Sequence, residues 1–381
     1  MRSIPYNKPC RAGLEREYIL QAIENVKLSG DGPFNKRCAE FLKNYFGDET
    51  QAVYITPSCT AGSEMASIIL NIEKGDEVIM PSFTFTSTAN SVAVYGGVPV
   101  FVDVRSDTMN IDETLIEQAI TPKTKAIAPV HYAGVGCEMD TINSIAKKHN
   151  LAVVEDNAQG LFSYYKGKPL GSLGDMSAVS FHETKNIIAG EGGALVINSD
   201  NIKERAEIIR EKGTDRSKFF RGEIDKYSWI DKGSSYLLGE LGAAYLLGQL
   251  EKGVEITENR LNTWNFYYEN LKELQGRGYI KLPTVPKECQ HNAHIFYILT
   301  ENLKIRESLR NYLKDNGVLA VSHYVPLHSS KAGLELGRVA SKMDVTDSQS
   351  EMLLRLPLYY NMSDDDMAYV IKKIRNYFIG E

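Results

Sequence analysis

Between Ala52 and Asn198 the chain carries seven short segments rich in β-branched and other apolar residues. They are Ala52–Thr56, Glu77–Met80, Val98–Val104, Ala126–Val130, Leu151–Glu155, Met176–Phe181 and Ala194–Asn198. Helical periodicity fills several of the intervals, at Gly62–Ile72, Glu113–Ile120 and Asp140–His149. Near-continuous apolar strands alternating with helices require a mostly parallel sheet covered on both faces. This predicts an α/β fold built on a large, doubly wound, seven-stranded sheet.

After Ser199 the pattern changes. Helices are predicted at Ile202–Lys212, Ser235–Leu250 and Ile256–Leu274. Further on come strand signals at His294–Leu299 and Leu319–Tyr324, with helix signals at Ile305–Asn316 and Asp364–Tyr377. A chain of 381 residues has room for two domains. The expected division is a large domain over 1–254, including the N-terminal segment, and a smaller α+β domain over 255–381.

The net charge of -6, with no basic cluster longer than a pair, argues against nucleic-acid binding. No apolar run reaches the roughly 18–20 residues of a membrane span, and no signal-peptide core precedes Pro9, so a cytoplasmic location is expected. The five cysteines are odd in number and form no CxxC pair. In a reducing compartment they read as free thiols, and a metal site has no support.

Two strand ends carry chemistry. The strand Leu151–Glu155 runs into Asp156, where ligands of doubly wound sheets bind. Alone, Asp156 reads rather as the cap of the next helix. The segment Ser180-Phe181-His182-Glu183-Thr184-Lys185 closes another strand and is followed by Gly190-Glu191-Gly192-Gly193. A lone loop lysine is usually a solvated charge. Lys185 instead stands at a strand end backed by glycines that admit close backbone approach. A third element, Thr56–Ser63, joins a strand to a helix rich in small residues. Such a helix start offers free amides to an anion, or is simply capped by Ser58 or Thr60.

In order along the chain, Ser29–Phe34, Pro57–Ala61, Pro81–Thr88, Val130–Gly134, Glu155–Gln159, Ser180–Lys185, Gly190–Gly193, His323–His328 and Arg355–Tyr359 resemble the DegT/DnrJ/EryC1/StrS sugar aminotransferases. These are fold-type I enzymes dependent on pyridoxal 5'-phosphate. The resemblance implies that Lys185 holds the cofactor as a Schiff base and moves the proton, while Asp156 pairs with the pyridine nitrogen. Gln159 would bond the ring hydroxyl oxygen and Phe85 would stack on the ring. The Thr60 and Ala61 amides with the Ser180 hydroxyl would hold the phosphate. Ser235, standing where the family usually has Asn, would reach it from a partner subunit in a homodimer with shared active sites.

The same resemblance implies the reaction. L-glutamate would load the cofactor to pyridoxamine phosphate, and a nucleotide-linked keto sugar would then accept the amine. The motifs are most like those of members that aminate C4 of dTDP-4-keto-6-deoxy-D-glucose, giving the 4-amino-4,6-dideoxygalactose of enterobacterial common antigen synthesis. Amination at C3, or at C4 with gluco stereochemistry, stays open, as does a cofactor-binding regulator without turnover. Substrate contacts are expected from His323, Tyr324, His328 and Arg216, the last within a nucleotide-binding stretch Thr214–Trp229. His131 also falls near the crevice. His182, three residues before the lysine, is expected to line the site.

Overall fold

A computed structural model describes residues 2–380. All seven expected strands form: β1 (Ala52–Thr56), β2 (Glu77–Pro81), β3 (Val98–Val102), β4 (Thr124–Ile127), β5 (Ala152–Asn157), β6 (Met176–Ser180) and β7 (Gly193–Ile197). An eighth strand, β8 (Arg338–Val339), joins the edge, and the sheet order is β1-β7-β6-β5-β4-β2-β3-β8. Two residues are too short a run to signal a strand. What fixes β8 is a fork from Arg338 Nε and Nη2 to Glu77 Oε1 and Oε2, both at 2.7 Å. Every residue of β2, β6 and β7 is buried. Their apolar runs therefore do not alternate, because helices cover both faces.

Only β7 runs against its neighbours. It pairs antiparallel with β1 and β6, and Gly193 lies opposite both Thr56 and Ser180. The C-terminal ends of β1, β5 and β6 thus share a rim with the start of β7. A Cβ on Gly193 would come within 2.3 Å of the Ser58 carbonyl carbon. The helix Cys59–Ile69 can sit this close only because residue 193 lacks a side chain.

Two helices without a sequence expectation, Glu15–Glu24 and Pro33–Phe46, pack against Glu240–Leu250. The last was expected to start at Ser235. It starts later because Ser235 bridges Glu211 and the Tyr236 amide donates to Arg210 O, and its first residue, Glu240, caps the Pro33 helix, accepting the amides of Phe34 and Asn35 at 2.8 and 3.0 Å. Gly32 is required there, since its Cβ would strike the Glu240 carboxyl.

The C-terminal region forms a second core under a three-stranded antiparallel sheet, Ile280–Lys281, Phe296–Thr300 and Leu353–Leu356. Helices Gly253–Gly276, Leu303–Asp315 and Asp364–Ile379 cover it. Phe296 and Tyr267 are fully buried there, and a Phe so placed contributes about 2–3 kcal/mol over an exposed one. Ile4 joins this core. The expected strand Leu319–Tyr324 does not form. Only Val321 bridges to Arg355, because the polar end, His323-Tyr324, turns into the crevice above β5 and β6. Among the described residues, no helix is long and apolar enough to cross a membrane.

Candidate active site

Side chains alternate along a strand, and at the end of β5 this separates two adjacent carboxylates. Glu155 is fully buried and faces inward. It accepts the amides of Gly171, Leu173 and Gly174 at 2.7–2.9 Å, and its Oε2 lies 2.8 Å from His131 Nε2. His131 Nδ1 accepts the Cys137 amide, so the ring proton sits on Nε2 and is donated to Glu155. His131 is therefore a fully buried structural residue and not a substrate contact. Asp156 faces the other way, into a cavity of about 810 Å³. Its Oδ2 accepts from Thr88 Oγ1 at 2.6 Å, and Thr88 in turn meets Thr84 Oγ1 at 2.9 Å.

Lys185 lines the same cavity. The loop that carries it is tied across its base: Phe181 N donates to Gly192 O, Ala189 N to Phe181 O and Glu183 N to Gly190 O. Among the described residues Lys185 makes no ion pair. Burial holds its ammonium below the usual lysine range, against the opposing influence of Cys59 and Asp156, while Arg355 lowers it further.

The floor is the start of the helix Cys59–Ile69. Ser58 caps it, its Oγ accepting the Ala61 amide at 3.0 Å. With Ala61 satisfied in this way, the donors left open are the amides of Cys59 and Thr60, a ready anion site. The Thr60 hydroxyl donates to Ser87 Oγ at 2.8 Å, and Ser180 lines the cavity beside them. Gln159 is anchored at both ends, with Oε1 accepting the Ala133 amide at 2.7 Å and Nε2 donating to the Tyr324 hydroxyl at 3.2 Å. His323 stacks on Tyr324 with ring centroids 3.6 Å apart. Phe85 stands 59% exposed at the mouth, free to cover a ligand. His182 lines the cavity as expected.

Lys185, Asp156, Thr60, Phe85, Gln159, Ser180, His323 and Tyr324 are thus brought together. Four expected residues are not. The Ala61 amide, expected to hold the phosphate, is taken by Ser58 Oγ, and Ala61 does not line the cavity. His328 bonds Ser82 Oγ at 2.7 Å through Nδ1 and approaches Asp347 at 3.3 Å through Nε2, outside the cavity. Arg216 and Ser235 line a second cavity of about 880 Å³. Tyr6 and Arg355 line the Lys185 cavity without having been given a role from sequence. The available signal was a single charge inside the apolar run Leu353–Leu356.

A lysine and a carboxylate at neighbouring strand ends, above an anion-binding helix start, define a fold-type I aminotransferase that uses pyridoxal 5'-phosphate. The chain belongs to the DegT/DnrJ/EryC1/StrS aminotransferase family, whose model matches residues 9–375. It is 29% identical to GDP-perosamine synthase of Escherichia coli O157:H7, over 99% of both chains. Spr1654 of Streptococcus pneumoniae in its PMP form superposes with a TM-score of 0.89 at 26% identity, covering 98% of this chain and 97% of that one. DesI, solved in the presence of its TDP-sugar product, gives 0.89 at 26% identity over 100% of this chain and 94% of that one.

Proposed function

We propose that this enzyme transfers an amino group from L-glutamate to C4 of a nucleotide-linked 4-keto-6-deoxyhexose. The observation that carries the reading is Lys185 and Asp156 lining one cavity beside the open Cys59 and Thr60 amides. The residues present fit pyridoxal phosphate. Lys185 would hold the aldehyde carbon and afterwards move the proton. Asp156, kept in place by Thr88, would keep a proton on the ring nitrogen. The Cys59 and Thr60 amides with the Ser180 hydroxyl would take the phosphate, Gln159 would donate to the ring oxygen, and Phe85 would cover the ring. When bound, the cofactor supplies an electron sink and carries the amine between two substrates. Kinetics should accordingly be ping-pong.

The names of two relatives, one a GDP-sugar synthase and one holding a TDP-sugar product, support a nucleotide-linked acceptor. We assign dTDP as the nucleotide, the galacto product and a place in enterobacterial common antigen synthesis on motif resemblance alone. We further propose a homodimer in which the second cavity of one subunit, with Ser235 and Arg216, completes the site of the other.

Three measurements test the reading. Purified protein should show an absorbance band near about 400 nm that is absent from Lys185→Ala. The 3-keto and 4-keto nucleotide sugars, supplied separately with L-glutamate, should release 2-oxoglutarate continuously only with the 4-keto compound. NMR of the product then fixes the stereochemistry at C4. Turnover with the 3-keto sugar alone would overturn the C4 assignment.

A further inference from the structure

A proton that Lys185 moves between two carbons rests on its Nζ in transit, so the lysine passes through an ammonium in a buried site. Burial foremost, and Arg355 with it, oppose that charge. Burial also pushes the Cys59 thiol up, so Cys59 is neutral and gives no help. Asp156 favours the ammonium but is committed to the ring nitrogen in the reading above. What the site needs is a neutral group that accepts from the ammonium without taking its proton.

His294 lines the Lys185 cavity and is only 7% exposed. Its tautomer is fixed by its neighbours. Asn186, the residue after Lys185, donates from Nδ2 to the Asn292 carbonyl at 2.9 Å, so its Oδ1 is an acceptor. That oxygen lies 3.1 Å from His294 Nδ1. Nδ1 therefore carries the ring proton, and Nε2 keeps a bare lone pair. Among the described residues Nε2 has no hydrogen-bond partner, and it is the polar atom the ring has left for the cavity. Burial, and after it the charge of Lys185, hold the ring well below the usual histidine range, so it accepts without becoming a base.

The backbone around this ring is constrained. Ala293 sits at φ 51°, a left-handed conformation that a residue with a Cβ keeps only when its surroundings enforce it. Buried Arg260 enforces it, donating from Nε to Ala293 O at 3.2 Å and from Nη2 to His294 O at 2.7 Å. On the other side Asn292 Oδ1 accepts the His294 amide at 3.0 Å, while its Nδ2 donates to the Gln159 and Leu161 carbonyls at 2.8 and 2.7 Å. The loop after β5, the lysine loop and the entry to the small sheet are tied at this point.

The other rings and charges around Lys185 are engaged elsewhere. His182 has Thr184 Oγ1 on Nδ1 and Glu191 at 3.6 Å from Nε2. His323 has the Tyr132 hydroxyl on Nδ1, and its strongest charged neighbour is Arg355. The Tyr324 hydroxyl is taken by Gln159. Arg355 donates to the Tyr6 hydroxyl at 2.8 Å and the Ser322 carbonyl at 3.2 Å.

We propose that His294 Nε2 accepts a hydrogen bond from the Lys185 ammonium while that lysine holds its proton, with Asn186 and Asn292 as positioning residues. This rests on the aminotransferase reading above.

The test uses the full-length enzyme in its pyridoxamine phosphate form, where Lys185 is free. His294→Asn keeps a donor toward Asn186 and removes the cavity acceptor, whereas His294→Gln keeps an acceptor near the place of Nε2. Reductive methylation of Lys185 at neutral pH, counted by peptide mass spectrometry, should be about 3–10-fold faster in the Asn variant, because the unreactive ammonium has lost its partner, and near the parent rate in the Gln variant. Single-turnover rates with L-glutamate, and with 2-oxoglutarate in reverse, should both fall about 10–100-fold in the Asn variant and only a few-fold in the Gln variant. Calorimetric affinity for pyridoxamine phosphate should hold in both. A loss confined to the sugar half-reaction would make His294 a sugar contact and overturn the assignment. Equal losses in the two variants with methylation unchanged would make it a structural ring, and overturn it too. If His294→Asn does not fold, Asn186→Ala, which frees the ring to turn, should speed methylation and slow both half-reactions, and no change in either would overturn the assignment. A wild-type enzyme lacking the band at about 400 nm would instead overturn the aminotransferase reading itself, and this inference with it.

Discussion

The two large cavities have similar volumes, about 810 and 880 Å³, but pair their charges differently. Around Lys185 the cations stand without partners, since neither Lys185 nor Arg355 makes an ion pair among the described residues. In the second cavity the acidic side chains Asp31, Glu207 and Glu211 each have a cation beside them, while Lys27, Lys36 and Arg216, which also line it, make no ion pair among the described residues. Arg210 Nη2 meets Asp31 Oδ1 at 2.6 Å, Arg221 Nη1 meets Glu207 Oε1 at 2.7 Å, and Glu211 Oε2 has Lys212 Nζ at 3.5 Å. One cavity leaves both Lys185 and Arg355 unpaired beside the reacting groups, and the other pairs its acids but keeps spare cations. The first is therefore built to receive an anionic cofactor and donor. The second is the surface proposed above to complete a partner's site.

The contrast is broken most severely at Lys185. Lys185→Ala should cut transamination by at least about 10³-fold without loss of folding, measured as 2-oxoglutarate release against circular dichroism. The next largest effect separates the adjacent carboxylates. Asp156→Asn should lower turnover about 10²-fold and leave the melting temperature nearly unchanged, because Asp156 faces the cavity. Glu155→Gln should do the reverse. It strands buried amides and the His131 proton, at a cost of about 3 kcal/mol in denaturant unfolding. If the two variants gave the same pattern, the division of labour at the end of β5 would be wrong.

Much of this geometry is legible in the sequence, for a physical reason. Lys185 and Asp156 follow strands with strong local signals, and the parallel topology forces those ends to one rim. What local signals cannot reach is the packing of the small sheet over that rim. Arg355 looks like an ordinary edge-strand charge until Tyr6 and Ser322 are seen to hold it over the cavity. Leu319–Tyr324 has a strand's composition, yet its ladder stops at Val321 because His323 and Tyr324 are committed to the site. β8 is defined by one Arg338–Glu77 fork across 261 positions of sequence. His131 and His328 sit near strand ends as expected, but their rings are consumed by Glu155 and Ser82, which no spacing rule reveals.

Variants in the second cavity should have milder effects. Ser235→Ala removes one neutral hydrogen bond, so the affinity for pyridoxal phosphate should fall only about 2–10-fold, read by equilibrium dialysis. Arg216→Ala should raise the KM for the nucleotide sugar by a similar factor and leave cofactor loading unchanged. An effect of Ser235→Ala as large as that of Asp156→Asn would erase the distinction between the two cavities.

The smallest expected effect tests how the acidic side chains of the second cavity are paired. Burial, with Asp31 close by, pushes the Glu211 carboxyl above the ordinary value of 4.5. Arg210, outweighing burial, holds the Asp31 carboxyl below its own. For Glu211 the folded state therefore binds its proton more tightly than the unfolded chain does. Its contribution to stability is complete below pH 4.5 and is lost as pH rises through the folded value. At neutral pH Glu211 is thus a net cost, and Glu211→Gln, which keeps the shape without the titrating group, should raise the melting temperature by a few degrees at most. The gain should vanish on acidification below the ordinary carboxyl range. A Glu211→Gln protein less stable than the parent at neutral pH would mean that the Lys212 contact outweighs the repulsion, and that the second cavity too is short of anions.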